Sequence, residues 1–224
     1  MGVESSKSAE IVLASESPRR RRLVQALDTP VTAISPESEE GPPLMGETPA
    51  AFVTRLSAKK AEAVARQAVD AIVLGADTAV VLDGAVLGKP VDSRDAARML
   101  RLLRGRMHAV ITGLTTIDAR SGQRLSAVMS TEVRMRRYSD EEIAAYVESG
   151  APMDKAGAYA IQDTGFSPAA ETAGCYLNVV GLPLCEVVNV LEKLGVSVRL
   201  SDDSGATADC QQCPLDVERE GSVP

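Results

Sequence analysis

Aromatic residues are scarce in this chain of 224 residues: tryptophan is absent, and all aromatic residues together make up 3% of the sequence. Proteins that bind single-stranded nucleic acid stack bases on aromatic side chains, and nucleic-acid binders in general present a basic surface. The net charge of this chain is −7 at pH 7. The composition therefore argues against a nucleic-acid-binding domain.

Histidine is nearly missing as well, since His108 is the only one in the sequence. A zinc site built on several histidines is therefore excluded, and a serine or cysteine triad would have to rely on His108 alone. We interpret His108 as a structural residue at the entrance of a strand.

Long hydrophobic runs are absent too, because no segment approaches the roughly 18 apolar residues that a membrane-spanning helix needs. The polar first residues contain no hydrophobic secretion core, although Met1-Gly2 with Ser6 matches the loose N-myristoylation pattern, which anchors a protein only weakly. Four cysteines are too few for a secreted disulfide framework in a chain of this size, and Cys175 and Cys185 lie in apolar surroundings typical of reduced, buried thiols. These features predict a cytoplasmic protein with no membrane segment.

The hydrophobic residues that are present, 45% of the chain, suffice for a full core and follow a mixed α/β pattern. Apolar runs expected in a sheet alternate with helical patterns; they span 11–14, 71–74, 79–82, 109–117 and 176–182. Capping residues predict helices that start at Thr48-Pro49 (to about Val69), Asp92 or Ser93 (ending before Gly105), Ser139 with Glu142 (to Gly150) and Pro183 (to Gly195). Segments 107–119 and 123–137 flank Ser121-Gly122 and predict a long hairpin. The expected fold is a mixed sheet flanked by helices.

The ends of the chain differ in composition from the middle. We predict a polar N-terminal tail over 1–10, one folded domain over 11–200 and a disordered acidic tail over 201–224. Cys210 and Cys213 in that tail offer two ligands where a structural zinc needs four, so we expect an inert or redox-labile pair.

The most informative segment is 11–22, in which an apolar run ends in Ser15 and Ser17 and is followed by Pro18 and four arginines. Ser17 and Pro18 predict a helix start. Arginines in the first turn of a helix are disfavoured by about 0.3–1 kcal/mol each, because that end already carries partial positive charge. Free amides, two hydroxyls and guanidinium groups together suit phosphate oxygens. The alternative is a solvated basic turn offset by the acidic residues at 37–40.

A second segment, 71–84, places Asp77 inside an otherwise apolar strand pattern. Burying a carboxylate costs several kcal/mol unless it is paired, hydrogen-bonded or bound to a cation. Asp77 is therefore either catalytic or a strand-end cap after Gly75. Asp83-Gly84 predicts a tight turn, after which Lys89 returns toward the same end of the sheet. Lys89 would then reach a phosphate near Asp77.

A third segment, 152–162, mixes Asp154, Lys155 and Gln162 with small residues, as loops that line binding sites often do. Gln162 carries an amide that can recognise the edge of a base, and Gly157 permits close approach of the backbone.

Taken together, six ordered motifs resemble the Maf (septum-formation inhibitor) family of nucleoside triphosphate pyrophosphatases over about residues 11–197. The motifs are Leu13-Ala-Ser-Glu-Ser-Pro-Arg-Arg20, Gly75-Ala-Asp-Thr78, Gly88-Lys-Pro90, Met153-Asp-Lys-Ala-Gly-Ala-Tyr159, Ile161-Gln162 and Val180-Gly-Leu-Pro-Leu184. The resemblance implies an α/β fold with two lobes around a deep nucleotide-binding cleft. It also implies hydrolysis of a nucleoside triphosphate to the monophosphate and diphosphate, as in nucleotide-pool sanitation, with a link to cell-division arrest.

The resemblance further implies roles for individual residues. Asp77 matches the proton acceptor, and Glu40 and Lys89 match further charged catalytic positions. Substrate phosphates would be bound by Ser15, Ser17, Arg19, Arg20 and Lys60. A divalent cation, Mg²⁺ or Mn²⁺, would be held by Asp77 and Glu40, since these ions prefer carboxylate oxygens. Water would attack the α-phosphorus as Asp77 takes its proton or holds the cation.

Three positions resemble the branch of the family that acts on dTTP, UTP and related pyrimidine nucleotides, namely Arg19, Thr78 and Gln162. The chain departs from the usual pattern at 163–170 and in its acidic tail, and both departures bear on substrate preference. The alternative hypothesis is a protein of cell-division control that senses a nucleotide without turnover. A homodimer is a general expectation for enzymes of this kind.

Overall fold

The computed structural model describes residues 10–38 and 40–201. Nearly all of the predicted tails, 1–10 and 201–224, lie outside these residues, as do Gly2, Cys210 and Cys213. Among the residues described, no helix is long and apolar enough to cross a membrane.

A seven-stranded mixed sheet forms the centre of the fold. Its strands are β1 (Glu10–Ala14), β2 (Val31–Ile34), β3 (Ala71–Leu82), β4 (Ala85–Leu87), β5 (Met107–Asp118), β6 (Arg124–Met135) and β7 (Ala169–Ala173). The order is β2-β1-β3-β5-β6-β7, and β4 also pairs with β3. Strand β1 runs parallel to β2 and β3, and the other pairs are antiparallel. The predicted hairpin over 107–137 is confirmed, with Val133 and Met135 buried and Glu132 and Arg134 exposed.

Within the described part of the chain, six α-helices flank the sheet: α1 (Pro18–Leu23), α2 (Pro49–Ala65), α3 (Ser93–Leu103), α4 (Asp140–Glu148), α5 (Tyr176–Val180) and α6 (Leu184–Lys193). Short 3-10 turns span Val24–Ala26, Ala151–Asp154 and Ala156–Ala158. The predicted starts are confirmed: Ser17, Thr48 and Asp92 accept from backbone N–H groups, and Ser139 with Glu142 forms a capping box.

Two expectations from the sequence need correction. Helix α2 ends at Ala65, four residues before the predicted Val69, because residues 66–70 turn into β3. The apolar run at 176–182, expected in the sheet, forms the short helix α5 instead. A short apolar run does not by itself distinguish a buried helix from a strand. Here Leu177 and Val180 pack into the core, and Gly181, at φ +122°, ends the helix.

Strands β1 and β4 share one edge of β3, because β5 occupies the other edge. Strand β1 pairs with residues 71–75 of β3, and β4 pairs with residues 80–82. Within the described part of the chain, no strand pairs with residues 76–79 on that edge. We call this interruption the β3 gap. Both Ser15, which follows β1, and Gly88, which follows β4, therefore enter the gap from opposite ends.

Helix α2 lies unusually close to one face of the sheet, over Gly75 and Gly113. A Cβ atom at Gly75 would lie 2.2 Å from the Ser57 carbonyl oxygen, and one at Gly113 would lie 2.6 Å from the carbonyl carbon of Val53. Side chains alternate along a strand, so Asp77 shares the α2 face with Gly75, whereas Thr78 points to the opposite face, which α1 and α5 cover.

Candidate active site

A cavity of about 880 Å³ opens at the β3 gap. The cavity is lined by the start of α1 with the loop before it, the loop after β2, α2, the β3–β4 hairpin, Val110 of β5, residues 154–162 between α4 and β7, and the end of α5 with Gly181. The predicted site residues all lie in its wall: Ser15, Ser17, Arg19, Arg20, Glu40, Lys60, Asp77, Thr78, Lys89 and Gln162. They come from distant parts of the sequence, and the gap is what brings them together.

On the α2 side of the gap, Lys60 joins two carboxylates. Its Nζ lies 2.6 Å from Asp77 Oδ1 and 2.7 Å from Glu40 Oε1, and Lys89 Nζ lies 3.7 Å from Glu40 Oε2. The side chains of Asp77 and Lys60 are 10% and 9% exposed, so this ion pair is nearly closed to solvent. Asp77 is thus a paired, buried carboxylate within β3 and not a cap at a strand end.

Glu40 is the more exposed carboxylate of this group, and its charge depends on the cations around it. Partial burial alone would raise its pKa, but the hydrogen bond and charge of Lys60, with Lys89 and Arg20, lower the pKa below its ordinary value. Glu40 is therefore ionised at neutral pH and faces the cavity as a negative group.

In the segment 15–22, which contains the four arginines, the serine hydroxyls accept hydrogen bonds from backbone N–H groups of the same segment. Ser17 Oγ accepts from the Arg20 N–H at 3.4 Å, and Ser15 Oγ accepts from the Ser17 N–H at 3.2 Å. Arg21, which the sequence did not single out, donates from Nε to the Ser15 carbonyl and from Nη2 to Ser35 Oγ. Arg21 thereby holds the loop that leads into α1.

Arg19 and Arg20 have different environments. Arg20 is buried, and it donates from Nε to the Gly181 carbonyl and from Nη2 to Thr78 Oγ1, both at 2.8 Å. Burial lowers the pKa of its guanidinium, while the charges of Asp77 and Glu40 oppose that shift. Arg19 is half-buried at the rim, with Nη1 3.9 Å from Asp154 Oδ2.

Another part of the cavity wall is formed by residues 154–162, which lie between α4 and β7. Gln162 is exposed at the cavity and, among the described residues, its amide makes no hydrogen bond, so it is open to a ligand. Lys155 Nζ lies 2.5 Å from both Asp154 Oδ1 and the Ala151 carbonyl. This pair, singled out from the sequence only as part of a mixed loop, connects the rim to Arg19.

His108 lies outside the cavity wall that the described residues form, in agreement with its structural interpretation. It stands at the start of β5, it is 3% exposed, and its Nε2 is 2.7 Å from Tyr159 Oη. Burial lowers the pKa of His108 to about 4.

Within residues 10–38 and 40–201, no group of three or more histidine, cysteine, aspartate or glutamate side chains is arranged to hold a metal ion. The protein nevertheless offers two converging carboxylates, Asp77 and Glu40, both already paired with Lys60. Mg²⁺ is often bound by one or two carboxylates together with substrate phosphates. The donor set fits a cation that is bound together with a phosphate ligand.

Comparison with known proteins identifies the family of the chain. The profile of the family described as Maf-like protein matches residues 10–194. The chain belongs to the Maf family. A dTTP/UTP pyrophosphatase of Pelotomaculum thermopropionicum is 47% identical over 189 residues, which cover 84% of this chain and 98% of that protein. One of Methanosarcina barkeri is 43% identical over 189 residues, covering 84% and 96% respectively. One of Dehalococcoides mccartyi strain 195 is 38% identical over 212 residues, covering 95% and 94%.

The Maf motifs identified in the sequence coincide with the cavity wall. The first motif forms the end of β1 and the start of α1, the second spans the β3 gap, and the third follows β4. Family membership and the geometry of the gap therefore point to the same surface. What the motifs did not reveal is how Lys60 and Glu40 reach Asp77, because neither lies next to it in the sequence.

Proposed function

We propose that the protein is a nucleoside triphosphate pyrophosphatase that converts dTTP and UTP to the monophosphate and diphosphate. The observation that carries the proposal is the carboxylate of Asp77, oriented by Lys60 in a cavity whose other walls carry Arg19, Arg20 and Lys89. Relatives named dTTP/UTP pyrophosphatase support the substrate class. Removal of unwanted pyrimidine nucleotides, modified ones included, from the cytoplasmic pool is the role we propose, and a link to cell-division arrest remains a hypothesis.

In the reaction we propose, Asp77 accepts a proton from the water that attacks the α-phosphorus, and diphosphate leaves. Lys60 donates to Asp77 Oδ1 and holds the carboxylate in one orientation; we assign the proton of the water to Asp77 Oδ2, which makes no hydrogen bond among the described residues. The phosphate oxygens gain charge in the transition state, and Arg19, Arg20, Lys60 and Lys89 stabilise that charge. Ser15 and Ser17 contribute by holding the loop that carries the arginines.

A divalent cation, Mg²⁺ or Mn²⁺, would be held by the free oxygens of Asp77 and Glu40 together with the substrate phosphates. When bound, such an ion neutralises phosphate charge and polarises the phosphorus–oxygen bonds. Since Lys60 already pairs with both carboxylates, we expect the ion to bind weakly without nucleotide and tightly with it.

Base selection is proposed to involve Arg19, Thr78 and Gln162. Of these, Gln162 has the amide best suited to hydrogen-bond a pyrimidine edge, because it is exposed at the cavity. Arg19 lies at the rim, where Asp154 limits its movement.

The test is diphosphate release from a panel of canonical and modified nucleoside triphosphates with Mg²⁺ or Mn²⁺. Wild type is compared with Asp77→Asn and with Asp83→Asn, a control in the turn of the same hairpin, where the side chain is 71% exposed. We expect turnover of dTTP and UTP that falls about 10²–10⁴-fold in Asp77→Asn and is unchanged in Asp83→Asn. A folded wild type that binds nucleotide but releases no diphosphate would instead support the nucleotide sensor.

A further inference from the structure

A chain of hydrogen-bonded polar side chains begins at Arg20 and leads away from the cavity into the core. Arg20 Nη2 donates to Thr78 Oγ1 at 2.8 Å, and Thr78 Oγ1 lies 2.9 Å from Thr112 Oγ1. Thr112 Oγ1 in turn donates to the Asn178 carbonyl oxygen at 3.2 Å. Thr112 and Asn178 are fully buried, so neither can touch a ligand in the cavity.

Both threonine hydroxyl protons in this chain have acceptors within the protein. A threonine hydroxyl has a single proton, and the carbonyl of Asn178 can only accept, so the proton of Thr112 is used there. The proton of Thr78 is then used on Thr112 Oγ1 at 2.9 Å or on the Gly181 carbonyl at 3.4 Å, and Thr78 accepts from Arg20. The Thr78 hydroxyl consequently has no proton to offer a nucleotide.

Asn178 anchors the far end of the chain. Its side-chain Nδ2 donates to the Val110 carbonyl on β5 and to Thr131 Oγ1 on β6, both at 2.9 Å. The reverse placement of the amide would set its oxygen against the Val110 carbonyl, so the nitrogen is the atom that faces Val110. Asn178 thus fixes α5, which precedes Gly181, against the sheet, and the Gly181 carbonyl is the second acceptor of Arg20.

We propose that Thr78, Thr112 and Asn178 are positioning residues that hold the Arg20 guanidinium in the cavity wall as a phosphate-binding group. Arg20 uses two N–H groups on Thr78 and Gly181, and its remaining N–H groups have no acceptor among the described residues. Thr78 then influences substrate binding through Arg20 and not by contact with the base. The inference deepens the proposed function and rests on it for the identity of the phosphate ligand.

A double-mutant cycle tests this chain without requiring turnover. We would measure the Kd of inorganic diphosphate by calorimetry, with Mg²⁺, for wild type, Thr112→Val, Arg20→Lys and the double variant. Thr112→Val keeps the shape of the side chain and removes the hydroxyl. The matched control is Thr116→Val: Thr116 lies on the same face of β5, is fully buried, and its hydroxyl has no hydrogen-bond partner among the described residues.

We expect Thr112→Val and Arg20→Lys each to weaken diphosphate binding about tenfold, and the double variant to bind as Arg20→Lys does, within twofold. Thr112→Ser restores binding, and Thr116→Val leaves it unchanged. With dTTP, Thr112→Val raises KM by a similar factor and changes kcat less. Thr78→Val in place of Arg20→Lys supplies a second cycle if the lysine variant does not fold.

Multiplicative effects in the double variant would overturn the inference, because Thr112 would then act independently of Arg20. So would equal losses in Thr112→Val and Thr116→Val, or a folded wild type that does not bind diphosphate. A wild type that binds diphosphate and obeys the cycle, yet hydrolyses no nucleotide, would leave this inference standing while the proposed activity fails.

Discussion

At the scale of single residues, Lys60 decides how two carboxylates coexist at one site. Asp77 and Glu40 would repel each other and, in the case of Asp77, suffer a desolvation cost if the ammonium were not between them. The apolar strand pattern around Asp77 indicated that it needed a partner. The structure supplies that partner from the middle of α2.

Replacing Lys60 by Met should therefore impair both function and stability. We expect diphosphate release to fall at least about 100-fold and the free energy of unfolding to drop by about 3 kcal/mol, because Asp77 becomes a buried charge without a partner. The pKa of Glu40 should rise in the same variant. Steady-state kinetics and urea denaturation at pH 7 measure the first two effects, with Lys59→Met, an exposed neighbour, as the control. Equal activity in both variants would contradict the role of Lys60.

His108 makes stability depend on pH in a predictable direction. Its folded-state pKa is about 4, below the ordinary value of 6.5, so the unfolded chain takes up the proton first as pH falls. Stability is therefore full above about pH 6.5 and is lost progressively toward pH 4. Between pH 7 and pH 5 we expect the free energy of unfolding to fall by about 2 kcal/mol.

Urea denaturation at pH 5, 6 and 7 measures this dependence. His108→Gln, which keeps a polar group near Tyr159, should lose most of the slope, because the chain has no other histidine. An unchanged slope in the variant would show that other groups dominate in this range.

At the scale of secondary-structure elements, the close packing of α2 against the sheet determines the distance between Lys60 and Asp77. This packing depends on Gly75. It is reinforced by a hydrogen bond of 2.9 Å between Ser57 and Thr115, which is paired with Gly75 in the sheet. The helix is therefore held at one height over the β3 gap.

Gly75→Ala should push α2 away from β3. The added methyl group would stand 2.2 Å from the Ser57 carbonyl oxygen and 2.8 Å from the Ala61 nitrogen, both backbone atoms that cannot rotate away. We expect a loss of roughly 2 kcal/mol in unfolding free energy and at least about a tenfold loss in kcat/KM. Gly165→Ala, where the nearest atom is a side-chain oxygen at 3.4 Å, is the control and should show neither loss. Full activity in Gly75→Ala would mean that activity does not depend on the distance between α2 and the sheet.

At the scale of the whole molecule, the end of the described chain returns to its beginning. Val198 is buried in the core with Ile11 and Leu13, the Arg199 N–H donates to Asp28 Oδ1 at 2.9 Å, and the Ser201 N–H donates to the Ala26 carbonyl at 2.7 Å. Residues 196–201 thus support the 3-10 turn after α1, and Leu200 forms a β-bridge with Leu27.

Two truncations separate this support from the residues beyond it. A chain ending at Ser201 should retain kcat/KM within about twofold and an unchanged melting temperature. A chain ending at Gly195 should lose several degrees of melting temperature, since about 1 kcal/mol or more of apolar burial at Val198 is removed. Differential scanning calorimetry and diphosphate release measure both. A marked loss of activity in the chain that ends at Ser201 would assign a function to residues 202–224.

Features that depend on near neighbours are set by the amino-acid sequence alone. The helix starts at Ser17-Pro18 and Thr48-Pro49, the capping box of α4 and the hairpin around Ser121-Gly122 follow from contacts within a few residues, and all are confirmed. The need of Asp77 for a partner could also be predicted, because a carboxylate buried in an apolar strand is costly when it is left unpaired.

Which distant groups meet is set by tertiary packing instead. The run at 176–182 became a helix because of what it packs against, and Arg20 rather than Arg19 became the buried guanidinium because Thr78 and Gly181 accept from it. The gap in β3 depends on where β1 and β4 stop pairing, and the height of α2 depends on Gly75 and Gly113. These are contacts between segments far apart in the chain, and their energies depend on packing that local patterns do not encode.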